Sequence, residues 1–149
     1  MTIIPVGKLD RWQRKAVAAA VARDSFATFR AMVPVQALND SDLYVFCKLV
    51  AGRAADAMAI AHRMPLGDGR WSLDTSDMPT TRASHLFAMR FLTAAANLDD
   101  AEQRRLWDEQ VRFSRVAYSS ARERGVLRDA VTALVGWAAE VYRAHGVTP

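Results

Sequence analysis

Apolar positions recur at three- and four-residue spacing along most of this chain, a period that predicts helices and leaves strands with little support. The first nine residues, with Pro5 and Gly7, read as an irregular arm. Asp10 is a suitable N-cap, and the pattern after it predicts a first helix over 11–32. Its middle, Ala16 to Ala22, is apolar nearly all round, which a helix tolerates when neighbours cover it, so this helix is expected near the centre. Pro34 is read as a break, and Asn39-Asp40-Ser41-Asp42 as the capping cluster that opens a second helix running to about 63. There Leu43, Phe46, Cys47, Val50, Ala54, Ala57, Met58 and Ala61 fall on one face, the expected core face. Gly52 interrupts that helix and implies close packing or a slight bend.

Periodicity is lost over 65–79, where Gly67-Asp68-Gly69 is turn chemistry; a connection of this length in a small domain is often functional. A third helix is expected over 81–97, burying Leu86, Met89 and Leu92 with Phe87 and Phe91 on its flanks. Leu98-Asp99-Asp100 supplies a turn and a cap. A fourth helix follows over 101–124, with Leu106, Phe113, Ala117 and Ala121 inward, Trp107 and Tyr118 at the border and Gly125 as terminator. A fifth covers 127–145, burying Val131, Leu134, Ala138 and Val141 and ending at Gly146. The expected fold is all-α: a single-domain bundle or orthogonal array of about five helices.

Composition changes this picture only at the surface. The chain has 149 residues, 51% hydrophobic and 24% charged, the balance of one ordinary globular domain. Its net charge is +4, and the cations are mostly arginine, with lysine only at Lys8, Lys15 and Lys48. Arginine-rich composition also follows from a GC-rich bacterial genome, but a guanidinium suits carboxylate or phosphate recognition. No apolar run approaches the roughly 18 residues that span a bilayer. The start lacks the pattern of a secretory signal, and the single Cys47 cannot form an internal disulfide. A cytoplasmic protein without a membrane partner is the expectation.

The fourth helix carries the most specific surface signal. At about 100° per residue, Arg104, Arg115 and Arg122 line up, with Arg105 and Arg112 on a neighbouring line, opposite the apolar face. Asp108 and Glu109 stand four residues from Arg104 and Arg105 and neutralise part of this ridge. Trp71, beside Arg70 in the long loop, is the second candidate: either a binding anchor or a lid folded onto the core.

Catalytic and metal motifs do not assemble. There is no nucleophile elbow, phosphate-binding loop, H-E-x-x-H or dinucleotide fingerprint, and no cofactor is implied. Asp99 and Asp100 read as caps, His62 and His85 as ordinary histidines, and Cys47 as an inert thiol. The leading expectation is a non-enzymatic protein-interaction module of inhibitor, immunity or assembly-subunit type. It would bind a protein through Arg104, Arg105, Arg112, Arg115, Arg122, Arg70 and Trp71. The alternative is a nucleic-acid-associated subunit that contacts phosphates without reading sequence. Homo-oligomerisation stays open.

Overall fold

The structure is a computed structural model that describes residues 4–67, 71–72, 83–117 and 122–149; the side chains of 115–117 and 122–125 lie outside the description. The described residues form six helices and no strand: α1 (Val6–Val21), α2 (Ser25–Gln36), α3 (Asp40–His62), α4 (Ala83–Ala96), α5 (Asp100–Ala117) and α6 (Arg122–His145). None is long and apolar enough to cross a membrane.

The expected first helix is two. Its N-terminus begins earlier, with Pro5 in the cap position and Leu9 fully buried, so residues 6–9 are helical rather than irregular. At its other end Arg23 turns left-handed at φ 56°, Arg23 N–H donates to Ala20 O and Asp24 N–H to Ala19 O. This is a Schellman closure, built here on arginine instead of glycine. Asp24 then caps α2, its carboxylate accepting from Ala27 N–H at 2.9 Å. Pro34 does not end the second piece, because α2 runs on to Gln36. Gly125 likewise lies inside α6 and does not terminate α5.

The centre is also not α1, of which Ala16 and Val17 are fully buried while Ala18 is exposed. It is occupied by α3 and α6: α3 packs on α1, α4 and α6, and α6 on α1, α3, α4 and α5. The expected core face of α3 is buried from Leu43 through Met58; only Ala61, at the helix end, is exposed. A Cβ added at Gly52 meets nothing within 4 Å, so close packing does not account for that glycine.

Phe87 and Phe91 are core, not flank: Phe91 is fully buried, with Phe87 at 5.3 Å and Tyr44 at 6.3 Å between ring centroids. Trp107 of α5 joins them, 5.6 Å from Tyr44. The inward side of α5 runs through Gln103, Trp107, Gln110 and Ser114, all buried, with Leu106 buried as its spacing requires. Phe113 is 48% exposed, and the side chains of Ala117 and Ala121 lie outside the described residues. Two glutamines and a serine on the buried line moved the apolar pattern to the helix flank. In α6, Val131, Leu134, Ala138 and Val141 are buried as the spacing requires.

Candidate functional site

Helix α2 presents the most unusual surface. Its inward face is Ala31, Met32 and Val35, held mainly against α1. On the opposite face Phe26, Phe29 and Val33 sit at i, i+3 and i+7, within about 60° of one another, and are 70%, 67% and 54% exposed. Nearly every side of α2 is therefore apolar, yet only one side is covered. Ile60, Leu98, Val6 and Phe113 are exposed as well, but on α2 three large apolar side chains share one face of a single helix.

Beside the stripe is a recess of about 360 Å³ between α2, the end of α1 and α6. Phe29 and Thr28 form one wall, Met32 lies buried in it, Arg23 and Ser25 stand at the α1–α2 corner, and Thr132 of α6 lines the far side. The corner is anchored from α6: Arg143 donates to Ala20 O at 2.6 Å and Val21 O at 3.2 Å, satisfying carbonyls at the end of α1. Arg143 also pairs with Glu140. The recess thus rests on fixed backbone.

Its charges are one-sided. The guanidinium of Arg30 lies 5.7 Å from the Phe26 ring centroid, and neither Arg30 nor Arg23 makes an ion pair among the described residues. No acidic residue occurs between Asp24 and Asp40, and Asp24 is committed to its cap. On α6, Arg128 and Asp129 precede Thr132 by about one turn, and no ion pair joins them among the described residues.

The arginine ridge is more occupied. Arg105 holds Glu102 at 2.6 Å and Glu109 at 2.8 Å. Arg104 holds Asp108 at 3.2 Å and lies 5.0 Å from the Tyr44 ring, so it turns back onto α3. Arg112 is exposed and makes no ion pair among the described residues. The side chains of Arg115 and Arg122, and all of Arg70, lie outside the described residues.

Trp71 folds back. It is 8% exposed, its indole N–H donates to Pro65 O at 3.1 Å, and Asn97 clamps its backbone by accepting from its N–H and donating to its carbonyl. Its ring stands edge-on to His62, which in turn meets His145 at 4.6 Å. His62 and His85 are not brought together; His85 accepts from the Trp137 indole at 3.0 Å. No cluster of metal-binding side chains forms among the described residues. Cys47 is fully buried, and burial pushes its thiol well up, which leaves it without nucleophilic character near neutral pH.

The sequence conceals the α2 stripe because the 11–32 pattern reads as one helix with Pro34 as a break. The signal was present: Asp24-Ser25 is a cap pair, and Phe26, Phe29 and Val33 recur opposite Ala31, Met32 and Val35. Comparison with protein-family models, curated proteins and solved structures finds no match for the chain.

Proposed function

We propose that this protein is a non-enzymatic protein-interaction module whose contact surface is centred on α2. The single observation that carries the reading is the uncovered Phe26–Phe29–Val33 stripe bordering a recess, on a domain that buries the Phe87, Phe91 and Trp107 rings. Phenylalanine anchors beside a pocket are the form taken by the energetic centre of an interface. The stripe displaces the arginine ridge as the leading surface, since Arg104 and Arg105 already have carboxylate partners. Trp71 supports the fold by holding the ends of α3 and α4 together.

Photo-crosslinking tests this. A photoreactive phenylalanine at position 26 should trap a discrete protein in extract from the source cell, and the same group at position 113 on α5 should not. The trapped protein, purified, should bind the wild-type chain and fail to bind Phe29→Asp, whose circular dichroism and Tm should match wild type. Undiminished binding by Phe29→Asp would remove α2 from consideration.

A further inference from the structure

Resting on the reading just given, we infer that the occupant of the α2 recess is an acidic amphipathic helix of a different protein. Shape points to a helix. Phe26, Phe29 and Val33 span about two turns, and the recess between α2 and Thr132 of α6 is concave, so a facing helix can lay anchors at i, i+3 or i+4, and i+7 along it. Charge points to acid. Arg23 stands at the recess and Arg30 on the stripe, and no carboxylate of this chain pairs with either among the described residues. Arg112 is likewise unpaired there, but it lies on α5 without an apolar stripe beside it, whereas Arg14, Arg53, Arg104, Arg105 and Arg143 each have a carboxylate partner. Carboxylates flanking the incoming anchors would meet both cations.

A second copy of this chain fits less well. A two-fold interface through α2 would bring Arg23 and Arg30 toward their own counterparts, with Asp24, engaged in its cap, the one acid in the 24–39 segment. The area is also short: at about 200 Å² per phenylalanine the exposed stripe amounts to roughly 300–400 Å², against the ~800 Å² per partner typical of a stable complex. That suits the central patch of a helix-in-groove contact. An anionic membrane is disfavoured by the concavity and because Arg23 and Arg30 are two cations at this surface among the described residues, where membrane-surface segments cluster about 4–8.

The test uses two dye-labelled synthetic peptides, each a three-turn helix with leucines on one face, flanked by glutamates in one and by lysines in the other. Fluorescence anisotropy with the full chain should show saturable binding of the glutamate peptide and about tenfold weaker binding of its lysine twin. Phe29→Asp should abolish binding, and the Arg23→Glu, Arg30→Glu double variant should reverse the preference. Equal affinity for both peptides, or no binding of either, would overturn the inference. So would a dimer in sedimentation that Phe29→Asp dissociates, or co-sedimentation with phosphatidylserine vesicles in place of peptide binding. If the photo-crosslinked partner still depends on Phe29 while the peptides show no charge preference, the acidic helix fails and the interaction module stands. If partner binding ignores Phe29, both fail.

Discussion

Phe91 and Phe29 carry the same side chain in opposite surroundings, one fully buried among rings and one 67% exposed. Removing Phe91 takes transfer energy and leaves a cavity, so Phe91→Ala should cost about 3–5 kcal/mol in urea unfolding. Phe29→Ala should stay within about 0.5 kcal/mol of wild type, as expected for a side chain with little to lose on the free protein. A large loss at Phe29 would mean that it supports the fold. Backbone conformation offers a second residue-level test. Arg63 closes α3 at φ 50°, with Met64 N–H donating to Ala59 O, the same closure that Gly146 gives α6. A non-glycine residue there carries a steric cost of about 1–2 kcal/mol. Allowing for the extra freedom glycine gives the unfolded chain, Arg63→Gly should raise stability by about 0.5–1 kcal/mol, read as an increase in urea midpoint at constant m.

Helix ends explain which elements the sequence disclosed. Where glycine or clustered caps mark a boundary, as at Asn39, Asp99 and Gly146, the expected and observed ends agree within a residue or two. Where arginine takes the left-handed position, as at Arg23, no residue type announces a break, and two helices read as one. Pro34 misled in the other direction, since it sits inside the last turns of α2. In α5 the buried line holds Gln103, Gln110 and Ser114, so burial there does not follow polarity. The ends of α3 and α6 also meet through His62 and His145. Burial, and then the neighbouring His62 charge, lower the His145 pKa from 6.5. The unfolded chain therefore takes up this proton more readily than the folded one. Stability should be unaffected by this site above about pH 7 and should fall as pH drops below 6.5 toward the lowered folded value. His145→Gln should flatten the decline in Tm between pH 7 and pH 5; an identical decline in both proteins would show that His145 does not titrate in this way.

For the whole molecule, the legible part was the hydrophobic bookkeeping of a helical domain, and the illegible part was which faces remain bare. Spacing placed the inward residues of α3 and α6 correctly but could not tell that α2 rests at the edge, mainly on α1. The arginines divide the same way. Asp10 of α1, with its side chain 16% exposed, receives Arg53 of α3 at 3.2 Å and Arg14 at 3.1 Å, and its amide neighbour Gln13 at 3.0 Å. Burial raises the Asp10 pKa, but the Gln13 and Arg53 hydrogen bonds and the two positive charges outweigh it, so the carboxyl is held below its usual 3.8. Asp10→Asn should lower stability by about 1–2 kcal/mol at pH 7. Because a depressed carboxylate stabilises only while ionised, the difference from wild type should shrink as pH falls below 3.8 through the lowered value. A gap that persists at pH 2 would point to packing in place of charge.

Arg23 belongs to two constructions, since it closes α1 and also stands at the mouth of the recess. Glycine would relieve the corner at the expense of the guanidinium that lines that opening. Thermostability and recruitment should therefore move in opposite directions in Arg23→Gly, with a higher Tm and a weaker hold on the glutamate peptide, a conflict that Arg63→Gly escapes.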